Sequence, residues 1–414
     1  MVLDAHDSDP IAMGWMQGSP PAPERTVRWA DMSMYTFPQL RWAMSHYQQL
    51  RPTRRVSRGE GPISTWPVAL NSALDDVKLE TLATPQAPSR SLTWAESLLA
   101  NYTDAIVVLH QGRCVYERYF GVMDPHRLHM GMSVTKSFTG LLAAMLAHEG
   151  ELDVHAPVTF YVPELAHSAY ATATVDQVMD MRIGVRYSEN YADPEADIWR
   201  HARAGGVFPP RPGDPPPEGF RAFLCGLQPE GAHGEGFTYK TVNTDVLGWV
   251  MHRVTGADVG SLIQARLWQH LGVEHDAAMG VDDWGTDFAG GGINCTVRDL
   301  ARLGEMLRCG GQGPAGQVVP EAVVADLQRG GDREAFKTGG YATLPGWSYR
   351  RMWWVSHNDH GAYMARGIHG QSLYIDPQAQ MVIARFGSHP LAANVHNDPV
   401  TLPAFAALAQ ALTA

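Results

Sequence analysis

The run Ser133-Val134-Thr135-Lys136 sets a hydroxyl and an amine one helical turn apart at the start of a segment that is apolar nearly all round. Val134, Phe138, Leu141, Leu142, Ala143, Ala144, Met145 and Leu146 leave it no polar face before His148, Glu149 and the stop at Gly150. A helix of that kind calls for other elements around it, and a fold that supplies them buries a lysine near the helix entrance. Only four of the 32 basic side chains are lysines: Lys78, Lys136, Lys240 and Lys337. With so few, about 0.2 chance Ser-x-x-Lys matches are expected, and this is the one match. A chain that elsewhere uses arginine has kept here the one cation from which burial can remove a proton, and a neutral amine can act as a base toward the serine. The plainer reading makes Ser133 a helix cap and Lys136 a side chain reaching solvent from the first turn.

The 414 residues suffice for one large domain or two modest ones. The net charge of −11 is spread without long blocks, which argues against a nucleic-acid surface or a polybasic membrane patch and for small or neutral partners. Residues 1–25 are acidic and rich in Pro and Gly, lacking the basic start and apolar core of a secretory signal. No later stretch has the apolar length of a membrane span, so a cytoplasmic protein is expected. Cys114, Cys225, Cys295 and Cys309 are scattered with no C-x-x-C spacing. Free thiols are expected, rather than zinc ligands or disulfides. No metal or cofactor is implied, and a homodimer is left open.

Residues 1–98 carry proline punctuation (Pro20-Pro21, Pro62, Pro67, Pro85, Pro88) and several tryptophans, the marks of an N-terminal extension wrapped over a core. From Thr103 the pattern is a hairpin: Ala105-Ile106-Val107-Val108-Leu109, a turn at Gln111-Gly112, then Cys114-Val115-Tyr116 and on to Tyr119. Beyond the Ser133 helix the chain reads as mainly helical, over residues 175–181, 244–254, 259–271 and 296–307, the last opened by the capping pattern Thr296-x-x-Asp299. A proline-dense loop covers 209–219. Strands return at 348–355, 371–375 and 380–386, before a closing helix over 402–412. The order predicts an α/β domain, residues 99–414, whose sheet is built from both chain ends, with a mainly helical lobe inserted at about 150–295 and Ser133 at the junction.

A Ser-x-x-Lys helix between a hairpin and a helical lobe resembles the serine β-lactamase and penicillin-binding-protein superfamily, which implies a β-lactamase-like fold with an antiparallel sheet. Five runs are more specific: Tyr102-Thr103-Asp104-Ala105; Met132-Ser133-Val134-Thr135-Lys136-Ser137; Pro157-Val158-Thr159 with Tyr161-Val162-Pro163-Glu164-Leu165; Asn243-Thr244-Asp245-Val246-Leu247; and Gly367-Ile368-His369-Gly370-Gln371. Together they resemble the 6-aminohexanoate-dimer hydrolases, the nylon-oligomer-degrading branch related to class C β-lactamases, over roughly residues 100–390.

This resemblance implies a nucleophile at Ser133, its neighbouring amine at Lys136 and a third member at Tyr239, within Phe237-Thr238-Tyr239-Lys240-Thr241. Lys136, directly or with Tyr239, would take the serine proton, and the Tyr239 hydroxyl would protonate the leaving group. The oxyanion would sit between the backbone N–H groups of Ser133 and Ile368, where losing one donor costs about 10²–10³ in rate. The substrate positions implied are Tyr191, Ala202, Val207, Gly290 and His369. Tyr191 matches a loop tyrosine that hydrogen-bonds the scissile nitrogen of an amide. Ala202 stands where efficient members of the branch place an aspartate for the substrate ammonium, Val207 replaces a loop tryptophan, and Gly290 replaces a polar asparagine or histidine.

Some literal motifs lead elsewhere. Lys337-Thr338-Gly339 spells a β-lactamase motif but lies in a Gly-rich loop before Pro345-Gly346. Its structural counterpart in this branch is Ala365-Arg366-Gly367, without the lysine that grips a β-lactam carboxylate, which weakens a β-lactamase or transpeptidase role. Gly131-Met132-Ser133 lacks the following glycine of a nucleophile elbow, and His357-Asn358-Asp359-His360 reads as a polar turn, not a metal site. The expected function is a serine hydrolase of carboxylic esters and some small linear amides. Without a carboxylate for the ammonium, about 1.5–3 kcal/mol of charge-assisted hydrogen bonding is lost. The alternatives are a 6-aminohexanoate-dimer amide hydrolase and, from another class, a ligand sensor whose serine is acylated and stays so.

Overall fold

Ile106, Val107, Val108 and Leu109 are all fully buried, and each such side chain contributes roughly 1.5–3 kcal/mol by leaving water. Their strand, Thr103–His110, is paired along both edges inside a seven-stranded antiparallel sheet and covered by the helices Val297–Arg308 and Trp94–Ala100. In the computed structural model, which describes residues 2–85 and 87–414, the sheet order is Ser348–Arg350, Trp353–Val355, Tyr363–Gly367, Gln371–Asp376, Met381–Gly387, Thr103–His110 and Arg113–Tyr119. Residues 1 and 86, both in the expected extension, lie outside the described residues. The two chain ends meet where Ile383 pairs with Val108 and Ala384 with Val107. This is the split sheet that the element order predicts and that the resemblance implies.

Successive strand residues face opposite layers. Tyr374 meets Phe405 of the closing helix Asp398–Thr413 with ring centroids 5.3 Å apart, and Phe405 in turn lies 6.4 Å from Trp94, at the start of the helix Trp94–Ala100. The Ser133 helix, Val134–His148, packs against strands Trp353–Val355, Tyr363–Gly367 and Gln371–Asp376, while the helix Val297–Arg308 packs on Gln371–Asp376, Met381–Gly387 and Thr103–His110. The first hairpin forms as read, with Gln111 and Gly112 both at positive φ (51° and 74°) in its turn. Helices Val175–Met179, Val242–Thr255 and Val259–Arg266 also form, the first opened by a capping box from Thr174 and Gln177. Thr296 accepts a hydrogen bond from the Asp299 N–H at 3.1 Å, one half of the expected capping box, while the Asp299 carboxylate turns to the N–H groups of Glu274 and His275.

Three features differ from the sequence reading. Residues 348–355 are not one strand but a hairpin turning at Arg351 and Met352, both at positive φ (50° and 66°) without a glycine. The Arg351 N–H is tied at 2.8 Å to Asp180 and its guanidinium at 2.6 Å to Asp176, so contacts from the lobe hold the turn. Strand Tyr363–Gly367, too short and mixed to show alternation, lies between that hairpin and the rest of the sheet. A second sheet of four short strands, Thr53–Val56, Ala277–Gly280, Ile293–Cys295 and His129–Met130, joins the N-terminal region to the lobe and delivers the chain into Ser133.

The N-terminal region also builds its own apolar cluster, with Trp15, Met34, Leu40, Trp42 and Tyr47 closing onto Met130 and Met132. A buried polar knot fastens it: Asp104 accepts from Arg41 at 3.3 Å and Ser388 at 2.9 Å, and lies 3.2 Å from His129. Among the described residues, no helix is long and apolar enough to cross a membrane.

Candidate active site

The chain leaves strand His129–Met130 and turns at Met132, whose φ of 47° lies in the left-handed region that non-glycine residues seldom enter. The hydroxyl of Thr135 donates to the Met132 carbonyl at 2.6 Å and accepts the N–H of Ile293 at 3.0 Å. The helix entrance is thereby pinned to the small sheet. Ser133 makes no side-chain capping bond, so the helix-cap reading fails and the hydroxyl is left for other partners. Lys136, 1% exposed, places Nζ 2.8 Å from Ser133 Oγ and donates to the carbonyl oxygen of Gly290 at 2.6 Å. It does not reach solvent. Burial pushes its pKa down to about 8, against the opposing pull of the Glu189 and Asp245 carboxylates.

Tyr239 completes the cluster. Its ring centroid lies 5.1 Å from Lys136 Nζ, it packs on Trp354 at 5.4 Å, and its hydroxyl faces the Ser133 side chain. Burial, then the Glu189 charge, raises its pKa well above the ordinary phenol value, so at neutral pH it holds a proton. Strand Tyr363–Gly367 ends beside Ser133. A Cβ on Gly367 would stand 2.6 Å from the Gly131 carbonyl oxygen, so only glycine allows this close approach. Ile368 follows directly, and among the described residues neither its backbone N–H nor that of Ser133 donates to another protein group.

A cavity of about 510 Å³ opens over Ser133 and Lys136. Tyr191, Ala202, Val207, Gly290, Ile368 and His369 all line it, so the structure brings these positions together. The Tyr191 hydroxyl donates to Glu189 at 2.6 Å. The His369 imidazole, its Nδ1 2.7 Å from the His389 carbonyl oxygen, has its pKa pushed down to about 4 by burial and stays neutral. Position 290 acts through its backbone. A Cβ there would lie 2.6 Å from Thr241 Cγ2 and 3.5 Å from Lys136 Nζ, and the backbone carbonyl instead holds the amine.

The sequence reading missed two groups. Met32, Tyr35 and Tyr47 from the N-terminal region form part of the cavity wall, which no local pattern announces. Glu189, two residues before Tyr191, accepts from Tyr191, from the Thr241 hydroxyl at 2.7 Å and from the Thr241 N–H at 2.6 Å. The literal motifs lie apart from the cavity. Lys337 is exposed and pairs with Glu334 on its own helix at 2.7 Å, and Arg366 is buried against Asp398. His357 bonds Ser348 at 2.7 Å while His360 bonds Asp376 at 2.9 Å, so they share no ligand point. Among the described residues, His126, Glu274 and His275 bring three potential ligand atoms within 4.8 Å of one another. None of the three lines the cavity, and Glu274 is already paired with Arg298 and Arg302.

The family description Beta-lactamase matches residues 95–398. The chain belongs to the β-lactamase family, and it is a serine hydrolase of that superfamily. It is 39% identical over 354 residues to the 6-aminohexanoate-dimer hydrolase of Paenarthrobacter ureafaciens, covering 85% of this chain and 86% of the relative. Esterase EstB of Burkholderia gladioli is 30% identical over 189 residues, 41% of this chain and 45% of the esterase. A solved Bacillus anthracis chain, assigned as a 6-aminohexanoate-dimer hydrolase, superposes with a TM-score of 0.85 at 29% identity over 95% of this chain and 99% of its own.

Proposed function

We propose that the protein hydrolyses carboxylic esters, and small linear amides more slowly, through an acyl-enzyme on Ser133. The observation that carries this reading is the 2.8 Å contact between a buried amine of lowered pKa and the Ser133 hydroxyl. In the free-amine state Lys136 accepts the serine proton as Oγ attacks the carbonyl carbon. The negative oxygen that forms is stabilised by the N–H groups of Ser133 and Ile368, whose backbones converge at Gly131 and Gly367. Tyr239, protonated and beside Ser133, supplies the proton that releases the alcohol or amine. Water then enters along the same path and frees the acid.

Ester hydrolysis asks less of the site because its leaving group departs more readily. The cavity wall supports this preference: Ala202 offers no carboxylate to an ammonium, and among the residues lining the cavity none is acidic. The reading of a 6-aminohexanoate-dimer amidase is favoured by the 39% identical relative of that name and by Tyr191 on the cavity wall. Hydrolysis of p-nitrophenyl butyrate and of the aminohexanoate dimer, followed side by side, separates the two. An amide rate rivalling the ester rate overturns the ester preference. Ser133→Ala should abolish both, and retained activity would remove Ser133 from the mechanism. Mass spectrometry after ester exposure should show return to the free mass, whereas a permanent adduct means a sensor.

A further inference from the structure

The Glu189 carboxylate accepts three hydrogen bonds. One oxygen accepts the Tyr191 hydroxyl at 2.6 Å and the Thr241 hydroxyl at 2.7 Å, and the other accepts the Thr241 N–H at 2.6 Å. An ionised carboxylate only accepts, so the single hydroxyl hydrogen of Tyr191 is committed to Glu189 and its oxygen presents lone pairs alone to any other partner. The ring cannot swing freely, because it meets Trp199 edge-on at 5.7 Å, and Trp199 stacks on Phe208 at 5.3 Å. Burial, then the Glu189 charge, raises the Tyr191 pKa well above its ordinary value, so the phenol keeps the hydrogen it donates. Tyr191 lines the same cavity as Ser133.

We infer that Glu189 sets the hydrogen-bond polarity of Tyr191, making it an acceptor toward the cavity and so favouring substrates that carry an N–H at the scissile bond. An amide can donate to that oxygen. An ester presents another lone pair there and gains nothing. Glu189 is therefore a positioning residue that acts through Tyr191 and narrows the lead that esters hold in intrinsic reactivity. This rests on the Ser133 acyl-enzyme reading above.

The test compares kcat/KM for butyryl p-nitroanilide with that for p-nitrophenyl butyrate, which share one acyl group and differ in the N–H. In Glu189→Gln the Thr241 N–H, which can only donate, keeps the amide oxygen, so the new NH2 takes the place of the oxygen that Tyr191 and the Thr241 hydroxyl share and reverses the polarity of Tyr191. The anilide-to-ester ratio should fall about tenfold, the loss of one hydrogen bond of ordinary net strength. In a Tyr191→Phe background the same substitution should change the ratio by less than about twofold. An unchanged ratio in folded Glu189→Gln overturns the inference, as does an equal fall in the Tyr191→Phe background. Should Glu189→Gln fail to fold, Tyr191→Phe alone must lower the ratio about tenfold, and an unchanged ratio there overturns the inference too. Wild-type protein with no ester turnover sinks the hydrolase reading instead, a result distinct from ester turnover with an insensitive ratio.

Discussion

Ester hydrolysis should rise with pH along a limb centred on Lys136. Burial moves its pKa from 10.5 to about 8, with Glu189 and Asp245 opposing the shift. Only the free amine can accept the Ser133 proton, so activity is lost as pH falls through that value. About 1% of the amine is free at pH 6, about 10% at pH 7 and about 90% at pH 9, which gives roughly a 90-fold span in kcat/KM. An unshifted amine would leave only about 0.03% free at pH 7. The assay is initial-rate hydrolysis of p-nitrophenyl butyrate from pH 6 to 9.5, corrected for the blank. Glu189→Gln removes a charge that raises the Lys136 pKa, so its limb should lie lower than the wild type's. Rates still climbing about tenfold per pH unit at pH 9.5, or a profile flat between pH 6 and 9, would refute the assignment of Lys136 as the base.

The same burial weighs on stability. A folded-state pKa of about 8 against 10.5 unfolded means the unfolded chain binds more protons between those values, so stability rises with pH across that window. The cost below pH 8 is about 3 kcal/mol, partly offset by the bonds to Ser133 and Gly290. Lys136→Met should therefore raise urea resistance at pH 7 by about 1 kcal/mol while abolishing turnover, and a loss of stability would contradict the reasoning. Gly367→Ala drives a Cβ to 2.6 Å from the Gly131 carbonyl oxygen and moves the strand end that carries Ile368. Its kcat should fall about 100-fold with a near-native melting temperature, and a wild-type kcat would take the Ile368 N–H out of the oxyanion site. Ala202→Asp adds a carboxylate to the cavity wall. The aminohexanoate dimer should then be cleaved about tenfold faster or more in kcat/KM, and no gain would place the ammonium elsewhere.

How far the sequence reached depends on the range over which its signals act. Ser133 and Lys136 meet because three residues make nearly one turn, and the apolar run after them can only be buried. The first hairpin is equally local: five apolar residues, then Gln111-Gly112, where two positive φ values close the turn. The cap at Thr296 needs only the residue three positions on. These are periodicities and short spacings, which an isolated segment already carries.

The turn at Arg351 and Met352 carries no such mark, because Asp176 and Asp180 hold it from some 170 positions away. The small sheet escapes notice for the same reason. Its strands are too short to alternate and gain their partners only on folding, His129–Met130 from Ile293–Cys295 and Thr53–Val56 from Ala277–Gly280. Glu189 looks like any loop carboxylate until Thr241 and Tyr191 are brought to it, and Gly290 gives no sign that its carbonyl will hold an amine. The sequence by itself determined which hydroxyl and amine meet, since one helical turn is a covalent spacing. Only the tertiary structure decided how far the amine gives up its charge and what surrounds the substrate, because desolvation and the cavity wall arise from chain segments that meet only on folding.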